Sequence, residues 1–343
     1  MFDTMRALVM YEPGGPEVLQ VRDVAKPKID RPSDVLVKVI AAGVNPADWQ
    51  NRKSGQRHDP NAETGSPTIL GIDGVGVVEA IGDAVEGITV GDEVWYIDGG
   101  YPGNPGSYAE YKVVHGAYVS KKPKSLDFAQ AAALPVVGLT AWEAVFGKGK
   151  VMSGDHVLVH GGAGGLGHIA IQYLSTVGAR IATTVSTDVK AEFALGMGAE
   201  LAIRYRTQDV NKELKAWSGK DGADVVFDFV GHDNFARSFE HTAAYGRLVN
   251  TVVSDWPKGG NAMAEWKNLD VSFVNIGLPQ IARDHRNRLR QVKVLDQIAE
   301  MVDGGTLRAH IDRVVSFEGV GDAHRALEAG ETIGRVVLHI KGE

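Results

Sequence analysis

The sequence contains no cysteine. Disulfide bonds, iron–sulfur clusters, zinc held by thiolates and cysteine nucleophiles are therefore excluded. No stretch approaches the roughly 18 apolar residues that span a bilayer. The amino terminus also shows no charged segment followed by a long apolar core, so no signal peptide is expected. These features favour a cytoplasmic protein without a membrane anchor.

Charge of one sign is not in large excess either. The 36 Lys and Arg residues stand against 43 Asp and Glu residues, a net charge of -7, so no nucleic-acid partner is expected. The length of 343 residues suggests two domains at roughly 150 residues each. Glycine, in contrast, is abundant: there are 42 glycines, against a usual share of about 7%. We therefore expect many tight turns or close backbone approaches.

Two different rhythms of secondary structure divide the chain. Up to about residue 125, short alternating runs bounded by turn signals predict a compact β domain. These runs are Arg6–Met10, Val18–Val24, Asp34–Ala42, Gly74–Ile81, Asp92–Ile97 and Ser107–Val114. The polar segment Arg52–Pro67 is predicted to be a loop beside a site.

From about residue 135, strands alternate with helices. Six short runs, most of them apolar without alternation, are typical of strands buried on both faces of a parallel sheet. They are His156–Gly161, Ala179–Thr184, Leu201–Tyr205, Asp224–Val230, Arg247–Val252 and Val271–Ile276. The sequence therefore predicts an α/β fold with a doubly wound, six-stranded parallel sheet. We place this domain at residues 136–280 and the first domain at residues 1–135 and 281–343.

A glycine motif follows the first of these strands. Gly162, Gly164 and Gly167 fit G-x-G-x-x-G, in which the first glycine permits a tight turn, the second admits a pyrophosphate and the third packs the helix on its strand. A glycine-rich turn without a ligand is the alternative, but the strand–turn–helix context favours a dinucleotide. The candidate cofactor-binding residues are Gly162, Ala163, Gly164, Gly165, Leu166 and Gly167.

The residues after the second strand bear on the choice of nucleotide. Ser186 and its neighbours stand where an Asp or Glu would bind the ribose 2′-hydroxyl of NAD, and Lys190 lies one turn into the next helix. Tyr205 and Arg206 end the third strand at the same edge. This arrangement predicts a 2′-phosphate pocket, with Ser186, Lys190 and Tyr205 in it, and NADPH as the cofactor. Alternatively, the basic residues are surface charges and Asp188 is a displaced ribose carboxylate.

Several motifs in order resemble the medium-chain dehydrogenase/reductase superfamily and, within it, the zinc-free quinone oxidoreductase branch. The matching segments are Ala42–Asp48, Leu70–Val78, Gly106–Tyr111, Leu139–Trp142 and His160–His168. The resemblance implies a GroES-like β domain built from both chain ends, a Rossmann domain between them and an active site in the interdomain cleft. It also implies a homo-oligomer, for which pairing of the sixth strand at Val271–Ile276 is one route.

The positions of the zinc ligands differ from those of zinc-dependent relatives. Where such relatives have a Cys and a His, the resemblance places Asn45 and Ile72 here, and the four-cysteine structural zinc is impossible. We therefore expect no metal. A replacement site built from Asp73 and a histidine is the remaining alternative.

The resemblance also assigns site residues. It implies that Asn45 lies beside the nicotinamide and hydrogen-bonds a substrate carbonyl, with Asp48 behind it as a second catalytic candidate. Further cofactor-binding residues implied in the same way are Asn45, Pro46, Thr140, Val230, Gly231, Thr251 and Val252. Structural alternatives are that Asn45 shapes the turn before Pro46 and that Asp48 caps a helix.

The predicted function is a metal-free, NADPH-dependent oxidoreductase that transfers hydride to quinones or related conjugated carbonyls. A quinone suits the site because its reduction leaves a stabilised oxyanion that takes a proton from solvent. No Tyr lies between Asn45 and Tyr96 to serve as a proton donor. Tyr108 and Lys112 match Tyr-x-x-x-Lys, but on a predicted strand they would lie about 13 Å apart and are interpreted as structural. An enone double-bond reductase and a non-catalytic NADPH-binding protein are the alternatives.

Overall fold

The computed structural model describes residues 3–55, 67–101, 103–252 and 254–340. The chain forms two compact units, Met1–Val136 with Gly277–Glu343, and Val137–Ile276. Residues 56–66 of the predicted loop Arg52–Pro67 lie outside the described residues, whereas residues 52–54 belong to a helix. In the described ranges, no helix is both long and apolar enough to cross a membrane.

The chain up to residue 142 is rich in strands. Its described strands are β1 (Thr4–Met10), β2 (Gln20–Ala25), β3 (Asp34–Val44), β4 (Thr68–Ile69), β5 (Asp73–Ile81), β6 (Glu93–Ile97), β7 (Tyr111–His115) and β8 (Val119–Lys121). Its helices are α1 (Pro46–Ser54), α2 (Phe128–Ala132) and α3 (Pro135–Trp142). The predicted strand at Ser107 begins only at Tyr111, because the backbone of Tyr108 bonds Leu8 and Leu70 instead of a neighbouring ladder.

The unit Val137–Ile276 alternates strands and helices. The strands are β9 (His156–His160), β10 (Arg180–Val185), β11 (Leu201–Arg204), β12 (Ala223–Asp228), β13 (Thr242–Asn250) and β14 (Asp270–Phe273). The helices are α4 (Gly167–Val177), α5 (Asp188–Gly196), α6 (Val210–Ser218), α7 (Asp233–His241) and α8 (Gly260–Lys267). The parallel order β11-β10-β9-β12-β13-β14 confirms the predicted doubly wound sheet.

The strand order of this sheet reverses beside β9. From β9 the chain first adds β10 and β11 on one side and then β12 to β14 on the other. The apolar residues that predicted strands buried on both faces form its core, with Leu158, Ala182 and Val226 fully buried. In such sheets the crevice at the carboxyl ends of the strands beside the reversal is the usual ligand position.

The carboxyl-terminal segment returns to the first unit. It contains α9 (Leu278–Ile281), α10 (His285–Asp303), β15 (Ile311–Val315), α11 (Val320–Glu328) and β16 (Arg335–His339). Strand β16 pairs antiparallel with β3, which also pairs with β5 and β7. A second sheet has the order β2-β1-β4. This is the predicted GroES-like β domain, completed by both ends of the chain.

A buried ion cluster holds α10 to the end of β6. The Asp98 carboxylate lies 3.0 Å from Lys112 Nζ and 2.8 Å from Arg288 Nη2. All three residues are buried. Burial by itself raises the pKa of Asp98, but the charges of Lys112 and Arg288 outweigh it, so the pKa falls below its ordinary value of 3.8.

We predict that Asp98→Asn lowers the free energy of unfolding by about 3–5 kcal/mol, because it leaves two buried cations without their counter-ion. Chemical unfolding at neutral pH measures this change. The contribution of Asp98 is present above the ordinary carboxyl pKa and is lost as the pH falls through the lowered pKa. Asp322→Asn, which removes an exposed pair with Arg325, is the control and should leave stability unchanged. Equal stability of the two variants would contradict the prediction.

Candidate functional site

The glycine motif forms the turn between β9 and α4. Gly161, immediately before the motif, has a φ of 79°, so it supplies the left-handed residue that the sequence assigned to Gly162. The Gly162 N–H donates to Thr183 Oγ1 at 3.0 Å. A Cβ on Gly162 would lie 2.1 Å from that oxygen. Glycine is therefore required at Gly162 by its contact with β10 rather than by its own backbone conformation.

The other two motif glycines differ in their surroundings. A Cβ on Gly167 would lie 2.3 Å from Gly161 O, so α4 packs directly on the turn, as the sequence predicts for the third glycine. A Cβ on Gly164 would meet only Gly161 O, at 3.2 Å. Within the described part of the chain, α4 also begins after Leu166 without a side-chain cap. The His168 N–H in the first turn of α4 bonds Gly164 O at 3.2 Å. An open glycine beside a helix start without a side-chain cap fits the pyrophosphate of a dinucleotide.

Two buried histidines support this turn. The Gly161 N–H contacts Thr184 Oγ1 at 3.3 Å, and that oxygen lies 3.0 Å from His160 Nδ1. His160 Nε2 lies 3.0 Å from His241 Nδ1. Burial lowers the pKa of both histidines to about 3, so both rings are neutral at physiological pH. The resulting chain of neutral hydrogen bonds fixes the Thr184 hydroxyl beneath the turn.

Ser186, Lys190 and Tyr205 follow the carboxyl ends of β10 and β11, as predicted. Ser186 and Lys190 are half-buried, and Tyr205 is exposed. Arg204 forms an ion pair at this edge: its Nη1 lies 3.0 Å from Asp188 Oδ1. Arg206, which the sequence favoured, is exposed in the turn after β11. The sequence predicted that this strand ends at Tyr205, but β11 ends at Arg204, which leaves Arg206 beyond the strand.

The loops after β12 and β13 lie against each other. Asp228 Oδ1 accepts the N–H groups of Val230 at 3.0 Å and Gly231 at 2.8 Å. A Cβ on Gly231 would lie 2.5 Å from the Val252 side chain. Asn250 Oδ1 accepts the Val252 N–H at 2.6 Å. The structure thus brings Val230 and Gly231, in the loop after β12, close to Val252, in the loop after β13. Thr251 is the residue before Val252 in that second loop.

Two residues at the ends of β12 and β13 escaped the sequence analysis. Asp228, fully buried, fixes the loop after β12, and its position between an apolar strand and a glycine was the available signal. Asn250 is 1% exposed, and its Nδ2 has no partner in the described ranges. An orphaned buried donor at the carboxyl end of a parallel strand fits a ligand polar group. Thr140 lies half-buried in α3, and residue 253 lies outside the described residues.

The first unit holds the remaining predicted residues at the start of α1. Asn45 is the residue before the helix, Pro46 is its exposed first residue, and Asp48 is its third. Pro at this position loses no helical hydrogen bond. The Asp48 carboxylate accepts the Asn45 N–H at 2.8 Å, which satisfies a donor at the helix start. Asn45 is thus the N-cap of α1, and Asp48 closes the capping box from the third position of the helix, so the alternative of a capping role for Asp48 holds in this form.

The Asn45 side chain is 1% exposed and engaged on both sides. Its Nδ2 donates to Asp73 Oδ1 at 2.9 Å and, less closely, to Gly43 O at 3.4 Å. Its Oδ1 accepts from Arg335 Nη2 at 2.9 Å. To donate to the carbonyl oxygen of a substrate, Asn45 would have to give up its longer contact, the one from Nδ2 to Gly43 O. A direct bond from Asn45 to a substrate therefore stays a prediction.

Asp48 is fully buried, and its oxygens have three donors. Besides the Asn45 N–H, it accepts the Gly71 N–H at 3.1 Å and the Tyr108 hydroxyl at 3.1 Å. Because no part of the carboxyl group is open to a substrate, the geometry does not support the predicted catalytic contact for Asp48. Through these hydrogen bonds, Asp48 holds α1 beside Gly71, which precedes β5, and beside Tyr108. Desolvation by burial raises its pKa to about 7, although these hydrogen bonds oppose the shift.

A buried cation completes the cluster. Arg335, 2% exposed on β16, donates from Nε to Ala133 O at 2.9 Å and from Nη2 to Asn45. Burial raises the pKa of Asp73, and the charge of Arg335 opposes that rise. The sequence analysis missed Arg335 because it lies 290 residues from Asn45. The available signal was a single charge beginning the apolar strand Arg335–His339.

The residues present do not fit a catalytic zinc ion. The amide of Asn45 and the apolar side chain of Ile72 stand where the resemblance puts metal ligands, and Ile72 is 4% exposed. Asp73 is bonded to Asn45 and to the backbone N–H of Val136. Within the described residues, no group of three or more His, Asp or Glu side chains is arranged to hold a metal.

Comparisons with known proteins support the fold. The family model described as zinc-binding dehydrogenase matches residues 197–338, and the alcohol dehydrogenase GroES-like domain matches residues 31–124. Human quinone oxidoreductase is 34% identical over 249 residues, covering 71% of this chain and 72% of that protein. The 2-methylene-furan-3-one reductase of Solanum lycopersicum is 33% identical over 346 residues, covering 98% of this chain and 79% of that protein.

A solved structure gives the same result. The quinone oxidoreductase of Escherichia coli, in complex with NADPH, superimposes with a TM-score of 0.86 at 26% identity and covers 97% of this chain and 99% of that chain. The fold and these relatives define a medium-chain dehydrogenase/reductase. Within that superfamily, this chain belongs to the quinone oxidoreductase branch and is an enzyme of the quinone reductase type.

We predict that Gly167→Ala destabilises the protein by about 1–3 kcal/mol and weakens binding of NADPH, because the new Cβ would force α4 away from Gly161. Gly196→Ala is the matched control. Gly196 is also helical, and a Cβ there meets nothing within 4 Å, so stability should rise by about 0.5–1 kcal/mol. Thermal unfolding and calorimetric titration with NADPH measure both effects. Equal behaviour of the two variants would refute the packing argument.

We predict that the free energy of unfolding of the native protein, measured relative to Asp48→Asn, falls as the pH rises towards 7. The folded state holds the Asp48 proton up to a pKa of about 7 and the unfolded state only up to 3.8, so the fall is about 1.4 kcal/mol per pH unit between pH 5 and 6.5. Above about pH 7.5 the difference should be constant. A difference independent of pH from 5 to 8 would show that Asp48 titrates as an ordinary carboxyl group.

Proposed function

We propose that this chain is a metal-free, NADPH-dependent reductase that transfers a hydride to quinones. The observation that carries the proposal is the cluster of Asn45, Asp73 and Arg335: the Asn45 amide stands where the resemblance puts one zinc ligand, and it is bonded to both Asp73 and Arg335. A second support is the glycine turn, whose open Gly164 and uncapped helix start suit a pyrophosphate. NADPH is the cofactor, and it supplies the hydride.

The residues of the chain bind and orient in this proposal. The glycine turn and the start of α4 would hold the pyrophosphate, and Ser186, Lys190 and Tyr205 would face the adenosine end. The loops that contain Val230, Gly231, Thr251 and Val252 would border the nicotinamide ribose. Thr140 and Pro46 stay cofactor-binding candidates from the resemblance. Asp73 and Arg335 fix the amide of Asn45, whose second N–H exchanges Gly43 O for the acceptor oxygen. A neutral donor that is held in place stabilises the developing oxyanion without a metal.

A quinone requires no proton donor from the protein. Its two-electron reduction leaves an aromatic oxyanion, which takes its proton from solvent. The buried carboxyl groups of Asp48 and Asp73 need not deliver one. The cluster is consistent with this, because Asp48 and Asp73 are fully buried and each accepts a hydrogen bond from Asn45, while Asp48 also accepts one from Tyr108.

A second candidate acceptor is a conjugated enone. The support is the tomato relative, a 2-methylene-furan-3-one reductase, which matches 98% of this chain. Reduction of a carbon–carbon double bond needs a proton at the carbon beside the carbonyl as well as the hydride. A homo-oligomer and a cytoplasmic location remain predictions of the sequence.

We predict that the purified protein oxidises NADPH faster with a panel of quinones than with a matched panel of enones, and faster with NADPH than with NADH. Absorbance at the nicotinamide wavelength measures the rates. Faster turnover of the enones would replace the first candidate by the second. Tight NADPH binding by calorimetry without turnover of either panel would instead identify a non-catalytic NADPH-binding protein.

We further predict that Asn45→Ala lowers kcat/KM for the best acceptor by at least about ten-fold, through the loss of one hydrogen bond to a developing charge. The affinity for NADPH should remain unchanged. Asn287→Ala is the matched control, because Asn287 Nδ2 also donates to a carboxylate, that of Asp284. An unchanged kcat/KM in a folded Asn45→Ala protein would remove Asn45 from the mechanism.

A further inference from the structure

The contact between α1 and α11 buries polar atoms that have no partner. Arg52 and His324 are fully buried, at 0% exposure each. Atoms Nε and Nη1 of Arg52 and both ring nitrogens of His324 have no hydrogen-bond partner in the part of the chain that the structure describes. Trp49 Nε1, one turn before Arg52 on α1, is a further buried donor of this kind. Because buried polar groups of folded proteins are almost always hydrogen-bonded, these atoms point to a ligand.

The orphaned groups of the two helices lie close together. His324 and Glu328 are one turn apart on α11, so their side chains share a face of that helix. The Glu328 carboxylate accepts a hydrogen bond from Arg52 Nη2 on α1. Burial lowers the pKa of His324 to about 3, and the positive charge of Arg52 adds to the shift. Arg52 and His324 therefore meet at one place, the contact between α1 and α11.

The charges at this contact do not cancel. Glu328 serves two cations, because its Oε2 also lies 2.5 Å from Lys53 Nζ. Arg52 and Lys53 supply two positive charges and Glu328 one negative charge, which leaves a net charge of +1. Glu17 also attracts Arg52, but Glu17 is exposed, and the exposed Arg325 acts in the opposite direction. The buried guanidinium of Arg52 is thus only partly compensated, and burial lowers its pKa.

Most of the orphaned atoms can only donate hydrogen bonds. A guanidinium and an indole N–H accept none, which applies to Trp49 Nε1 and to both Arg52 atoms. The neutral ring of His324 adds one donor and one acceptor. A metal cation needs acceptors, and a water molecule must itself donate two hydrogen bonds. An anion accepts from every donor and also balances a positive charge, so it fits this set best.

We propose that a small monovalent anion of halide size, such as chloride, binds between α1 and α11. Arg52 and His324 hold it, and Trp49 is a further donor. The anion neutralises a buried cation and satisfies donors that are costly to leave unpaired. Unlike a phosphate ester, an ion of this size can reach a buried place through local opening of the fold. The inference goes beyond the proposed function and does not rest on it.

The experiment uses bromide as the probe, because its anomalous scattering distinguishes it from water. Thermal unfolding of the full-length protein is measured in sodium bromide and in sodium gluconate at equal ionic strength. Bromide should raise the unfolding midpoint in a saturable way, since an ion that binds only the folded state stabilises it. Gluconate, a large organic anion, should not. Anomalous diffraction from crystals grown in bromide should place the ion within hydrogen-bond distance of Arg52 and His324.

Two variants test the residues that hold the anion. Arg52→Met replaces the buried cation by an apolar side chain and should abolish the saturable bromide effect, while Glu328 keeps Lys53 as its partner. His324→Phe removes both ring nitrogens and should weaken bromide binding by about five-fold, through the loss of one hydrogen bond. His324→Gln retains a donor and should restore part of that affinity. If Arg52→Met does not fold, His324→Phe and the diffraction measurement decide the question.

Arg6→Met is the matched control. Arg6 also pairs with a glutamate of the same unit, Glu318, at 3.1 Å, but its side chain is 50% exposed. Its removal should leave the bromide effect unchanged. Equal bromide dependence in the native protein and in Arg52→Met or His324→Phe would overturn the inference. Ordered water without an anomalous signal beside Arg52 would overturn it as well. Bromide density without a shift in solution would show binding at crystal concentration only and would have the same consequence.

Discussion

The polar cluster of the first unit depends on the hydrogen bonds and the positive charge of the Arg335 guanidinium. Two carboxyl groups, those of Asp48 and Asp73, lie there without exposed surface, together with the amide of Asn45. Buried carboxyl groups are costly unless a cation or hydrogen-bond donors compensate them. Arg335 supplies the cation from β16, the last strand of the chain, and thereby makes the arrangement around α1 depend on the carboxyl terminus.

The hydrogen bond from Arg335 to Asn45 also bears on zinc binding, because the resemblance puts the zinc ligands at Asn45 and Ile72. A zinc site needs thiolate or imidazole ligands with free lone pairs. Here the Asn45 amide is bonded to the Asp73 carboxylate and to the Arg335 guanidinium, and Ile72 contributes only apolar surface. Asn45 is held by Asp73 and Arg335 together. The dehydrogenase fold thus carries a hydrogen-bonded amide and an apolar side chain where the resemblance puts metal ligands.

The nucleotide half was largely predictable from the sequence, because its signals are local. The apolar runs predicted all six strands of the parallel sheet, and the G-x-G-x-x-G spacing predicted the turn and the contact of Gly167. The roles of Gly161 and Gly162 were not predictable, since they depend on Thr183 in the neighbouring strand. The pair of Arg204 with Asp188 was not predictable either. It depends on where β11 ends, and strand ends are less certain than strands.

The resemblance to a family supplied Asn45 and Asp48 as site candidates, whereas the sequence by itself determined the two-part α/β fold, the absence of thiolate chemistry and the glycine turn after β9. Each rests on composition or on residues close together in the chain. Only the tertiary structure decided that Asp48 is a buried helix cap bound to Tyr108, that Arg335 is the cation beside Asn45 and that Asp188 pairs with Arg204. The physical reason is that a hydrogen bond or ion pair is set by distance in space, and strands that meet in a sheet bring together residues whose separation in sequence carries no periodic signal.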